Sequence, residues 1–341
     1  MIRKTFVTDL GKCKILWDAF IHPKHISDLW EFRLCFQHHF NCSPCFLVLE
    51  DRKGVAAVLP LSYIDDLEMF VFFPGETWKA KTWLERTPIY LREGELLPEL
   101  YLSCPDRTFL RYIEISEDHL FPDLHVDEIG YSLYPANLDF DITLYRKRFP
   151  NKKYKNIIKT IKSLTDTACS FHLNRLQDFD FIVKTSIQRF GRGSYLYDPR
   201  FRESFRDTMH FLHRRGWLRM VSLEINGRIV AVDLCALYRG TYTVFLGGAD
   251  LELPGIAKAI NMYHIDFAFK KRLSKVDFLC GDFHWKKLWH LDPEPLYKFL
   301  TPALRTEHEA EHESASATTI SSAEVSYALN LTAEGEIFHV V

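Results

Sequence analysis

Two stretches of the chain repeat one pattern of apolar and polar positions. Leu47-Val48-Leu49-Glu50-Asp51-Arg52-Lys53-Gly54-Val55-Ala56-Ala57 is the first, and Val221-Ser222-Leu223-Glu224-Ile225-Asn226-Gly227-Arg228-Ile229-Val230-Ala231 is the second. Each is an apolar run ending in Leu-Glu, then a polar turn with glycine, then a second apolar run. A short glycine-containing turn between two such runs predicts a β-hairpin, because glycine reaches the left-handed conformations that tight turns need. The two lie about 174 residues apart, too far for a solenoid repeat and about right for two copies of one domain. Two like domains side by side predict a ligand cleft between them.

The same reading extends to the flanking segments. In the first half, Trp30, Leu34 and Phe36 alternate with charged positions, which predicts a helix from Ser27 to Phe40 with Ser27 as its N-cap. Phe70-Val71-Phe72-Phe73 is a buried-strand pattern stopped by Pro74-Gly75. A helix over Glu93–Ser103 and a strand over Leu110–Ile115 follow. Residues 119–140, rich in Tyr, Pro and Asp, are expected to be an irregular passage between halves. The second half opens with a basic helix, Arg146 to Lys162, which holds eight Lys or Arg and no acid. A strand over Ala168–Leu173 comes next, then two helical segments over Asp178–Arg215 broken near Gly191-Arg192-Gly193. The second hairpin (Trp217–Glu224, Arg228–Tyr238), a strand over Thr241–Gly247, a helix over Pro254–Lys271 and a strand over Lys275–Cys280 complete it. The predicted order is β–α–α–β–β–β–α–β, a mixed α/β sheet that starts antiparallel and gains a strand after a crossover helix. From Arg305 to Ser322 the chain is Glu, His, Ser, Ala and Thr with almost no apolar anchor, which predicts a linker. Val325–Leu331 and Ile337–Val341 alternate like two strands of a small terminal hairpin.

Composition narrows the class. An apolar share of 47% and an aromatic share of 14% predict filled cores over most of the 341 residues. The net charge of −2 argues against strong non-specific nucleic-acid binding by the whole chain. No run of 18 apolar residues predicts a membrane span, and no apolar segment follows the N-terminus as in a secretory signal. Eight Cys are then most simply reduced thiols, and a cytoplasmic location is expected. Cys42-x-x-Cys45 has zinc-ligand spacing but no second pair, so no metal is expected.

The second half carries a set of local matches: Tyr154-Lys155-Asn156-Ile157-Ile158-Lys159, Asp198-Pro199-Arg200-Phe201, Gly216-Trp217-Leu218-Arg219, Ile225 to Ala231, Pro254-Gly255, and Asp277 to Lys286. With them the chain resembles GNAT-superfamily acyltransferases, in particular the bacterial acetyltransferase-like proteins associated with cellulose and exopolysaccharide synthesis. Those are similar to the Fem aminoacyltransferases, which have tandem GNAT-like domains. The resemblance implies an N-terminal GNAT-like domain over 1–140, a C-terminal GNAT-like acyltransferase domain over 146–300, and an acidic appendage over 301–341. Where the family pattern has Tyr-Lys, this chain has Trp285-Lys286.

The resemblance also implies where the chemistry sits. GNAT enzymes hold the CoA pyrophosphate on backbone N–H groups at a strand-to-helix turn, an anion site by geometry and helix dipole. The register puts that turn at Gly255, Ile256, Ala257 and Lys258. Glu252 stands where a cation or amide is expected, and Pro254 removes one N–H donor. Acyl-CoA or acetyl-CoA is the expected co-substrate. Asp282 and His284 are candidates to take a proton from an attacking amine, and Lys286 to steady an oxyanion. Asp233, a lone acid in an apolar strand, is a further candidate, and N–H groups of Thr241–Gly247 would polarise the carbonyl. The basic helix Arg146–Lys162 would meet tRNA, acyl carrier protein or an anionic lipid surface. The expected function is N-acyl transfer from acyl-CoA or a related thioester to an amine on a sugar, amino acid or envelope precursor. The alternatives are tRNA-dependent aminoacyl transfer of the Fem kind and a non-catalytic subunit of polysaccharide biosynthesis.

Overall fold

The computed structural model describes residues 2–78, 81–115, 120–165, 168–250, 252–253, 255–281 and 284–306. In chain order the principal elements are β1 (Arg3–Val7), α1 (Leu10–Phe20), α2 (Trp30–Phe40), β2 (Phe46–Asp51), β3 (Gly54–Leu59), β4 (Leu61–Ile64), β5 (Met69–Phe72), α3 (Leu97–Leu102), β6 (Phe109–Ile113) and β7 (Leu124–Leu133). They continue as α4 (Ile142–Lys147), α5 (Asn151–Thr165), β8 (Cys169–Leu173), α6 (Phe179–Phe190), α7 (Pro199–Arg214), β9 (Val221–Ile225), β10 (Arg228–Tyr238), β11 (Thr241–Ala249), α8 (Ile256–Lys270), β12 (Lys275–Cys280), α9 (His284–Leu288) and β13 (Asp292–Leu300). The chain divides into two compact units. One holds residues up to Asp127 and again from Pro295; the other holds Glu128–Glu294.

In the first unit β1, β2 and β3 form an antiparallel sheet, with Leu47 opposite Leu59 and Leu49 opposite Ala57. Helices α1 and α2 bring Trp17 and Trp30 onto Phe46 and Phe73, the Trp30 and Phe73 rings stacking at 5.1 Å. Asp9 caps α1 through the amide of Lys12 at 2.8 Å. The strand β1 and helix α1 were not expected: β1 is short and mostly exposed, and α1 has a weak apolar stripe. The helix expected from Ser27 begins at Trp30 instead, because Ile26–Asp28 forms a separate 3₁₀ turn. Residues 119–140 are not an irregular passage throughout. Ten of them form β7, whose later part pairs with β12 (Ser132 opposite Asp277), so the second unit begins near Glu128. The chain re-enters the first unit where β13 pairs with β6.

In the second unit the strands run β7, β12, β11, β10, β9, β8 across one sheet. All neighbours are antiparallel except β11 and β12, which are joined by the crossover helix α8 and run parallel. Asp198 caps α7 through the amide of Arg200, with Pro199 in the first turn as its fixed φ favours. The expected basic helix is two helices, α4 and α5, interrupted at Phe149-Pro150, since proline cannot supply an interior helix hydrogen bond. Ile157 of α5 joins Met262, Ile265 and Phe269 of α8 in the core, while Lys152, Lys155, Lys159 and Lys162 are exposed. Val221, Leu223, Val230, Ala231, Ile256 and Ile260 pack α8 on the sheet, each large side chain contributing about 1.5–3 kcal/mol of burial.

The two units share β–α–α–β–β order, β1 to β3 in one and β8 to β10 in the other. Their hairpins match residue for residue. Leu49 faces Ala57 and Glu50 faces Val55 across a bulge; Leu223 faces Ala231 and Glu224 faces Ile229 across a bulge at the equivalent place. Beyond the hairpin, Cys45 N–H donates to Leu61 O at 2.7 Å and Arg219 N–H to Cys235 O at 2.9 Å, again at equivalent positions. The fold is a mixed α+β pair of like domains.

Candidate active site

Strands β11 and β12 pair over only three positions, Thr241 with Lys275, Tyr242 with Val276 and Thr243 with Asp277. β11 continues to Ala249 and β12 to Cys280 with no further pairing between them among the described residues. The strands therefore separate. Alternate N–H groups of Val244–Gly248, those turned away from β10, face the opening. A cavity of about 60 Å³ lies there, lined by β11 from Val244 to Ala249, by Asp233, Thr185, Arg189, Ile260 and Asn261, and by Phe278, Trp285 and Lys286.

Asp233 is the buried acid of this opening. It lies opposite Gly247 across the β10–β11 pair, 7% exposed. A Cβ added at Gly247 would run into its Oδ1, and one at Gly248 would meet Thr185 Oγ1. The glycine pair therefore admits the carboxylate and helix α6 to the wall of the opening. Asp233 Oδ2 lies 2.7 Å from His264 Nε2, and His264 Nδ1 lies 2.9 Å from the Tyr242 hydroxyl. His264 and Tyr242 are fully buried. With the imidazole neutral, Nε2–H donates to the carboxylate and the hydroxyl donates to Nδ1, so each group is satisfied. Burial pushes the Tyr242 phenol and the neighbouring Cys235 thiol well above their ordinary values.

Lys286, on the one-turn helix α9, is 1% exposed. Its Nζ donates to Leu279 O at 3.0 Å and to Cys280 O at 2.6 Å, which ties α9 to the end of β12. It also stands 5.5 Å from the Tyr131 ring centre. The indole N–H of Trp285 is shielded from solvent and has no acceptor among the described residues.

The other expected site residues are placed differently. His284 is exposed at the start of α9, and Asp282 lies outside the described residues. Gly255, Ile256 and Ala257 are buried, and Lys258 is half-buried. Gly255 has φ +85° and faces α5, where an added Cβ would run into the Thr160 methyl and lie 3.9 Å from Leu164 Cδ1. Among the described residues no side chain caps α8. At the turn expected to cradle a pyrophosphate, Gly255 thus packs closely on α5, and exposed Glu252 lies beside it. The structure brings two of the expected residues, Asp233 and Lys286, to one opening, together with His264, Tyr242 and Arg189, which the sequence pattern did not mark. The Gly247-Gly248 pair inside a strand was the available signal, since glycine there marks a close approach.

Residues 151–287 match the acetyltransferase (GNAT) domain family. A search of curated proteins finds no match to the chain. Among solved structures, the chain is similar to FemX at 8% identity (TM-score 0.55), covering 89% of this chain and 99% of that one. It is similar to a conserved protein of unknown function from Bacteroides thetaiotaomicron VPI-5482 at 11% identity (TM-score 0.54), covering 87% and 98%. It is similar to L-PGS from Bacillus licheniformis at 12% identity (TM-score 0.52), covering 86% and 93%. The separated strands lie within the 151–287 stretch that resembles a GNAT acetyltransferase domain. The chain as a whole has a fold like that of FemX, with two units of like strand order.

Proposed function

We propose that the second unit transfers an acyl group to an amine held where β11 and β12 separate, with Asp233 as general base. The observation that carries this is the position of a buried, His-backed carboxylate on the wall of that opening. The amine nitrogen attacks the carbonyl carbon and a C–N bond forms. The amine proton passes to the Asp233 carboxylate. The carbonyl oxygen becomes an oxyanion beside the edge of β11 that faces the opening, where backbone N–H donors stabilise it most. As it collapses, the bond to the leaving sulfur or oxygen breaks, and that atom leaves with the electron pair and takes up, by way of solvent, the proton that Asp233 gives back. His264 positions the carboxylate. Lys286 fixes the far wall through its carbonyl contacts and adds positive charge near the developing oxyanion. Asp282 and His284 remain candidates for proton transfer.

The first unit has Leu59, fully buried, where the second has Asp233, each opposite the equivalent residue of its hairpin partner. This supports one reaction centre per chain. An acyl-CoA or related thioester is the donor GNAT domains generally use, and it is the first donor to test. The covered turn at Gly255 and the carboxylate of Glu252 favour a second reading, in which the acyl group arrives on tRNA. The exposed lysines of α5 would then meet phosphates. The resemblance to exopolysaccharide-associated proteins makes an amino sugar one acceptor to test. Thermal-shift titration with acetyl- and longer acyl-CoA separates the donors. Stabilisation by a thioester supports the first, and retention of charged tRNA without thioester binding supports the second. Binding of neither, with a polysaccharide retained, would point to the non-catalytic alternative.

A further inference from the structure

Arg189 sits near the C-terminal end of α6 and lines the cavity that holds Asp233. It also lines a second, adjoining cavity of about 290 Å³, which shares Thr185 and Ala249 with the first and adds Lys184, Arg228, Asp250 and Glu252. Arg228 is occupied by an ion pair with Asp250. Arg189 packs against the Phe190 ring at 5.1 Å and has no carboxylate or hydrogen-bond partner among the described residues. Lys184 is exposed and equally unpaired among them. Burial without a counter-ion lowers the Arg189 pKa from its ordinary value. A partly desolvated guanidinium is costly to leave unpaired, and its fork geometry suits a carboxylate or phosphate.

We infer that the acceptor carries an oxyanion, a carboxylate or phosphate, near its reacting amine, and that Arg189 with Lys184 reads it while Asp233 receives the amine proton. This deepens the acyltransfer reading, on which the assignment of the amine rests. Selectivity follows from geometry. An acceptor with both groups spans the adjoining cavities, whereas a neutral amine of the same size leaves Arg189 unpaired.

The test is equilibrium binding by calorimetry on the full chain, with no acyl donor present. Two matched pairs serve as probes: β-alanine against β-alaninamide, and glucosamine 6-phosphate against glucosamine. The expected result is that the charged member of at least one pair binds roughly tenfold or more tighter than its neutral partner. The pair that responds distinguishes carboxylate from phosphate. Arg189→Gln should erase that preference, Arg189→Lys should keep part of it, and Lys184→Gln should weaken it less. Arg189 is only half-buried, so the folded state should persist, and melting temperature checks this. Saturating CoA should leave the charged probe bound. The inference is overturned if neither charged probe is preferred, if Arg189→Gln keeps the preference, or if CoA displaces the probe, which would give the site to the donor. Absence of acyl transfer would overturn the reaction reading without altering these binding results.

Discussion

At the residue scale, a few side chains are held by neighbours that the sequence places far from them. Asp233 was legible as a lone acid in an apolar strand. Its partner His264 was not, because α8 reads as a one-sided apolar helix but is buried between the sheet and α5, so a histidine inside it gives no periodic signal. Gly247→Ala tests the packing that positions the acid. The new Cβ would push the carboxylate aside, and misplacement on that scale is expected to lower kcat by about a hundredfold. A steady-state assay with the melting temperature measured alongside would separate this from global unfolding. In the first unit, Glu76 is fully buried and its Oε1 accepts from the amides of Trp83 (3.1 Å) and Leu84 (2.7 Å). Burial pushes its carboxyl up from 4.5 to about 7. The folded state therefore keeps its proton where the unfolded chain has lost it. The stability this group contributes is fully present below about pH 4.5 and is lost as pH rises to about 7. At about 1.4 kcal/mol per pKa unit, the loss is about 3 kcal/mol. Glu76→Gln can keep both amide bonds and should flatten this dependence. Urea midpoints of the variant that still fall between pH 5 and 7.5 as steeply as the parent's would contradict it.

At the element scale, the repeated hairpin was the most legible feature, and it is present with its bulge at the same place in both units. Strong alternation and a glycine turn are local signals, so they survive translation into structure. Strand β7 was not legible. Its exposed stretch, His125–Val126, interrupts the apolar pattern, and its later part is fixed by pairing with a strand more than a hundred residues away. The site turn at Gly255 was legible as a helix start, but its covering was not, because α5 reaches it from a distant part of the sequence. That contact gives a double-mutant prediction. Gly255→Ala should destabilise by about 1–3 kcal/mol, from the positive φ and the collision with Thr160. Thr160→Ala removes the colliding methyl, so the double variant should recover part of the loss. Strict additivity of the two in chemical denaturation would show that α5 does not cover the turn.

At the scale of the whole molecule, two units of one fold have diverged in what their cores contain. The first closes around Trp17, Trp30, Phe46 and Phe73 and has Leu59 at the position of the acid. The second keeps Asp233, His264 and the cavity-facing edge of β11. A chain of this design needs only one unit for chemistry, and removing the carboxylate should silence the whole protein without unfolding it. The most direct measurement is mass spectrometry of the amide product formed from an amine panel with acyl-CoA or charged tRNA, run in parallel on the parent chain and on Asp233→Asn. The account predicts an amide product for the parent. It predicts turnover about 10²–10⁴-fold lower for the variant, the scale of losing a general base, at a melting temperature close to the parent's. Full turnover by Asp233→Asn, or no amide from the parent with either class of donor, would contradict it.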